Sequence, residues 1–250
     1  MRKWSGPEVT ALAVALLLIG AGVVHSVVFL LDDQPWAGPV GWRKAITFGF
    51  SLGVTLLSLA VIARFVHLGK REGWWVLGTL AAASAFEYAL IVAQAWRGEP
   101  SHFNVATVVD AVIWVAMGIG IAGIVIGTIA FTAAAFRPVA VAPALALGIR
   151  SGLVLLLAGY VVGGIIIGSG GGVSESPTGD ESILGAAGEL KVPHAIGLHA
   201  LQVLPLLAWS AGRFVGSEPR QRRVVLVAAG AWAAVLVLQV LLAAAGHAPV

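Results

Sequence analysis

From Val9 to Leu31 the chain runs without one Asp, Glu, Lys or Arg, and six later stretches are nearly as apolar. A bilayer core about 30 Å thick is crossed by about 20 apolar residues of helix. Seven stretches meet that length: 9–31, 44–66, 73–96, 104–136, 144–168, 193–212 and 223–245. The predicted fold is therefore an all-α, polytopic membrane bundle of seven transmembrane helices, one transmembrane domain over residues 1–250. The composition agrees. Hydrophobic residues make up 59% and charged residues 11%, against roughly 45–50% and 25% in soluble domains. Too few polar side chains exist to coat a water-facing surface. A soluble enzyme, a disordered tail and a nucleic-acid binder are excluded.

The first run is too long for a signal-peptide core and lacks a small-residue cleavage pattern, so it is expected to stay as the first span. The fourth stretch exceeds one straight crossing and is expected to tilt or to continue past the membrane. Most tryptophans fall near span ends, where an interfacial aromatic belt places them.

Charge placement gives an orientation. With the N-terminus inside, the inner side receives Arg2, Lys3, Arg64, Lys70, Arg71, Arg137, Arg150, Arg213, Arg220, Arg222 and Arg223. The outer side receives Arg43, Lys44, Arg97 and Lys191. This asymmetry predicts a cytoplasmic N-terminus and an extracytoplasmic C-terminus. The bias to Arg over Lys and to Ala, Val and Gly points to a bacterial inner membrane. The basic balance of the chain then belongs to a face meeting anionic headgroups. The lipid bilayer is the expected partner, with no nucleic acid.

The long outer connection, 169–192, begins glycine-rich and becomes acidic, and reads as a mobile flap. Weak internal similarity links Ala21-Gly22-Val23-Val24 to Ala158-Gly159-Tyr160-Val161, and Lys44-Ala45-Ile46 to His194-Ala195-Ile196. Both pairs run in the same direction across the membrane, so a repeat would be parallel.

Ionisable groups inside a span are expensive and mark functional sites. His25, Asp110 and His199 each lie six residues from an outer span end, about 9 Å deep at 1.5 Å per residue. Glu87 lies about 14 Å deep, and Gln202 shares its layer. These side chains are expected to converge on one outer-leaflet pocket. Arg43, Lys44 and Arg97 lie above it, with His102 and His194 at its rim. Helical spacing places Ser84, Glu87, Ile91 and Gln94 on one stripe, and Thr107, Asp110, Trp114 and Met117 on another. Lys44, Thr47, Ser51, Thr55 and Ser58 form a small-polar stripe on the second span, read first as helix-packing glue and second as the lining of a path. His25 and His199 have a plainer alternative as satisfied packing residues, and His102 and His194 as interfacial polar residues. Asp110 could simply pair with Arg97, Arg43 or Lys44.

Three functions compete. In the first, His25 and His199 ligate a b-type haem, with Arg43, Lys44, Arg97, His102, His194 and Gln202 around it. In a variant of that reading, His25, His199, Glu87 and Asp110 hold a divalent metal for redox chemistry on a small hydrophobic or redox-active ligand. Glu87 and Asp110 would then be the catalytic carboxylates. In the second, the protein is a proton-coupled small-solute transporter using Glu87. In the third, it is an intramembrane hydrolase or lipid-modifying enzyme built on Ser84 or a metal-bound water, though no H-E-x-x-H or G-x-S-x-G pattern is present. The chain has no cysteine. That removes disulfides, thiolate ligands and cysteine nucleophiles.

Overall fold

The computed structural model describes residues 3–34, 36, 40–138, 141–169, 183–184 and 188–246. Seven of its helices are long and apolar enough to cross a membrane. They are α1 (Gly6–Leu31), α2 (Arg43–Ile62), α3 (Lys70–Arg97), α4 (Val108–Ala135), α5 (Pro143–Ser169), α6 (Lys191–Phe214) and α7 (Glu218–Ala244). Between α5 and α6 lies a minimal antiparallel pair, β1 (Ile183–Leu184) and β2 (Gly188–Glu189), with Ile183 opposite Glu189. Most of the connection read as a flap, including Glu175, Asp180 and Glu181, lies outside the described residues, as does His247.

Two boundaries differ from the sequence reading in ways that matter. The fourth helix starts at Val108 rather than at 104. The Asn104 Oδ1 accepts the Ala106 N–H at 3.1 Å, and Thr107 Oγ1 accepts the Asp110 N–H at 3.2 Å. Side chains thus hold this stretch in a turn and a helix cap. Asp110 consequently sits in the first turn of α4, two residues from its start rather than the expected six. The third helix starts at Lys70 and contains one π-helical turn, Trp74–Gly78. There the start of α3 meets the start of α1, where a Cβ at Gly73 would stand 3.1 Å from Pro7 Cγ.

The chain divides into two compact units. The first holds α1, α2, α3 and α4 as far as Phe131. Lipid tails are as apolar as the helices, so close packing of small residues drives association in place of hydrophobic burial. α1 and α2 meet at glycines: a Cβ on Gly49 would lie 2.8 Å from Gly22 Cα, and one on Gly53 would lie 3.0 Å from the Ala15 carbonyl oxygen. Trp42, Ala45, Ile46 and Ala95 fill the core beside this crossing. α4 lays Gly120, Gly123 and Gly127 along α3. A Cβ at Gly123 would be 3.1 Å from Ala83 Cβ, and one at Gly127 would be 2.8 Å from Leu80 Cγ.

The second unit holds the end of α4, then α5, the strand pair, α6 and α7. α5 and α6 cross in the same manner. A Cβ on Gly197 would overlap the Gly159 backbone, and one on Gly152 would stand 2.9 Å from the Ala200 carbonyl oxygen. α7 is fastened by Trp232, whose indole N–H donates to the Ile196 carbonyl at 2.8 Å. The two glycine crossings put Gly22 opposite Gly159 in the comparison, as the first repeated string suggests. The second string does not keep register. Matching Gly49 with Gly197 sets Lys44 against Val192 and Ile46 against His194.

Candidate functional site

The first unit gathers most of the expected polar groups around the C-terminal half of α3. His25 is buried on α1. Its Nδ1 stands 2.8 Å from the Ala21 carbonyl oxygen and 3.1 Å from the Tyr88 hydroxyl, and its Nε2 is 3.2 Å from Trp96 Nε1. An indole N–H only donates. Nε2 is therefore the acceptor, and the proton sits on Nδ1, which donates to Ala21. That fixes a neutral imidazole with both nitrogens engaged. The ring of Trp42 lies 5.8 Å away, and Trp42 and Trp96 meet edge to face at 4.9 Å. Trp42 in turn donates its indole N–H to Asp32 Oδ2 at 2.6 Å. A haem or metal on His25 Nε2 would have to displace Trp96.

A second group closes the junction of α3 and α4. Asp110 is 1% exposed. Its carboxylate accepts from Arg97 at 2.9 Å, from the Gln94 amide at 3.1 Å and from the Thr107 hydroxyl at 2.6 Å. Arg97 also donates to Gln94 Oε1. Three donors thus serve its two oxygens, Arg97 and Gln94 at Oδ1 and Thr107 at Oδ2. Such saturation makes Asp110 a structural anion and leaves it little freedom to act as a base or ligand.

Glu87 is the opposite case. It lies ten residues inside the end of α3, is fully buried, and neither carboxylate oxygen has a hydrogen-bond partner among the described residues. Gly120 of α4 faces it: a Cβ there would come within 2.7 Å of Glu87 Oε2. Ser84 and Gln94 occupy the same buried stripe of α3. Removing a charge from water without a partner is among the costliest things a protein can do.

His102 lies in the connection before α4, among Phe48, Phe103 and Trp114. Ser101 Oγ stands 2.8 Å from its Nδ1. Desolvation, and then the nearby Lys44 charge, pull its pKa from 6.5 to about 3. The next residue, Phe103, has φ of 57°, a left-handed conformation that non-glycine residues adopt at a cost. Arg43 opens α2, where its carbonyl accepts the Thr47 hydroxyl at 2.8 Å.

The remaining expected residues belong to the second unit. His194 Nδ1 donates to the Gly159 carbonyl at 2.8 Å, and its ring packs over Gly163, where a Cβ would stand 2.9 Å from Cε1. It fastens α6 to α5. His199 is exposed on α6, and Gln202 is half-buried one turn on. Among the described residues, no three His, Asp or Glu side chains stand together as a metal site would require.

Sequence reasoning missed Tyr88, Trp42, Trp96 and Asp32 as the surroundings of His25. The signal was faint. Tryptophan near a span end ordinarily means an interfacial belt, and that assignment hid the contact each indole makes with His25.

No protein-family model matches the chain, and no curated protein or solved structure does at the significance required.

Proposed function

We propose that the protein is a proton-coupled carrier of small solutes whose proton-binding group is Glu87. The observation that supports it is the orphaned carboxyl: fully buried, within a membrane-spanning helix, with neither oxygen hydrogen-bonded among the described residues. In that setting the neutral acid is the tolerable form. The anion becomes tolerable only when water or a cation reaches it. A group whose two states need two environments couples proton binding to rearrangement around it, which is the elementary step of coupled transport. Gly120 leaves the space opposite Glu87 free of a side chain and lets α4 approach closely. The saturated Arg97–Asp110–Gln94 cluster holds the outer junction of the two helices that enclose it. The polytopic chain would sit in a bacterial inner membrane with its N-terminus cytoplasmic, on the strength of the arginine asymmetry.

This reading is preferred to the haem or metal reading because His25 already has both nitrogens engaged and Asp110 has its carboxylate saturated. Of these three, it is Glu87 whose carboxylate has no hydrogen-bond partner among the described residues.

The test is proton uptake by proteoliposomes containing an entrapped pH dye, with an imposed potential as driving force. Wild type should acidify the lumen and Glu87→Gln should fall to the rate of empty vesicles. Infrared difference spectra between acid and alkaline buffer should show a protonated-carboxyl band that Glu87→Gln lacks. Undiminished uptake in the folded Glu87→Gln protein, together with an unchanged infrared difference, would defeat the proposal.

A further inference from the structure

The second unit carries a cavity that the carrier reading leaves unused. It has a volume of about 250 Å³ and lies where the start of α5, the end of α6 and the first turn of α7 meet. Ala142 and Leu145 give it an apolar wall, Trp209 and Gly212 a second side, and Arg213 and Gln221 its polar edge. Arg213 has no hydrogen bond or ion pair among the described residues. Gln221 spends its amide N–H on the Val215 carbonyl at 2.8 Å, which pins the turn between α6 and α7 beside Arg213.

The charge around this turn is predominantly positive. Arg213, Arg220, Arg222 and Arg223 lie within a few residues of it. The one acid there, Glu218, already faces Arg222 at 3.8 Å. A guanidinium is a fork of donors shaped for the oxygens of a phosphate. An indole at a span end marks the depth where headgroups begin. An apolar wall under a basic edge fits a ligand that is greasy at one end and anionic at the other.

We infer that this cavity is a binding site for one acidic phospholipid, its phosphate on Arg213 and an acyl chain along Ala142, Leu145 and Trp209. Basic pockets between transmembrane helices select anionic headgroups in this way. The inference stands independently of the role given to Glu87.

Native mass spectrometry of the full-length protein from mixed micelles tests it, with phosphatidylglycerol competing against phosphatidylcholine. Wild type should retain one phosphatidylglycerol with a preference of about fivefold, the worth of one cation beside anionic lipid. Arg213→Gln should bring that preference close to unity. Gly212→Leu is the second variant. A Cβ at Gly212 meets no neighbour within 4 Å, so the added side chain should fill the cavity without disturbing the helices, and should abolish retention while every arginine remains. An absent preference in wild type would overturn the inference, as would a preference that survives both variants, which would assign the effect to the arginine cluster at large. Stabilisation of wild type by inorganic phosphate as strong as that by phosphatidylglycerol would also overturn it, in favour of a free anion.

Discussion

The hairpins α1–α2 and α5–α6 are built on the same device and put it to different use. In each, a glycine in the outgoing helix meets a glycine near the start of the returning one, Gly22 with Gly49 and Gly159 with Gly197. Each hairpin carries a histidine three residues from that crossing, but on opposite strands of the comparison. Three residues beyond Gly22 stands His25; the matching position in α5 is Val162. Three residues before Gly197 stands His194; the matching position in α2 is Ile46. His194 turns into its own hairpin and bonds the Gly159 carbonyl. His25 bonds its own helix and then reaches a third helix through Tyr88 and Trp96. The lesson is that a close glycine crossing is indifferent to what stands next to it. A polar group beside the crossing can be spent on fastening two helices, or it can recruit a third.

The comparison can be broken most severely at the crossings themselves. Gly49→Val and Gly197→Val each set a branched side chain against the backbone of the facing helix, which cannot step aside as a flexible side chain could. Each should cost about 3 kcal/mol or more and yield little monodisperse protein on size exclusion. Gly20→Val and Gly164→Val are the matched controls. A Cβ at either meets nothing within 4 Å, and both proteins should elute as wild type. Equal behaviour of the two sets would refute the crossings.

A smaller effect sharpens the difference between the histidines. Val162 is 4% exposed, and Val162→His would place an imidazole where no residue equivalent to Tyr88 or Trp96 awaits it. The expected loss is about 1–3 kcal/mol in thermal unfolding in detergent, the cost of an unsatisfied buried polar group. His25→Val should remove the indole's acceptor and shift the tryptophan emission of the protein. His194→Val should leave that emission unchanged while lowering the unfolding temperature. At the saturated cluster, Asp110→Asn should cost about 1–2 kcal/mol, discounted because the Arg97 side chain is 39% exposed. In a double-mutant cycle with Arg97→Gln, most of that loss should appear as coupling.

Length and apolarity are properties of a stretch, which is why seven spans were legible from residue order alone. What residue order lacks is the direction a side chain takes around its axis relative to other helices. His25 and His199 were matched by depth. Yet His25 is buried in the first unit, and His199 is exposed in the second. Asp110 was displaced for a different reason: Asn104 and Thr107 bond to nearby backbone and delay the start of α4, an effect invisible to any hydropathy pattern. Glu87 was singled out by its charge in an apolar run. Its lack of hydrogen-bond partners among the described residues, the feature on which the carrier proposal rests, could be read only from the surrounding helices.

The mildest expected effect concerns His102, which has no counterpart in the second hairpin because it stands in the connection leading into α4. Its pKa falls to about 3 in the folded protein, through desolvation and then Lys44, against about 6.5 in an unfolded chain. Between those values the unfolded chain holds a proton that the folded one refuses. Stability therefore falls as pH drops below about 6.5, by at most about 1.4 kcal/mol per pH unit, and stops falling near the folded value. Above pH 7 the residue contributes no slope. The unfolding temperature in detergent should drop between pH 7 and pH 5 in wild type, and more shallowly in His102→Gln, which keeps a polar side chain of similar size without the titration. Parallel curves for the two proteins would mean that the acid sensitivity resides elsewhere, and that the aromatic setting of Phe48, Phe103 and Trp114 admits the imidazolium after all.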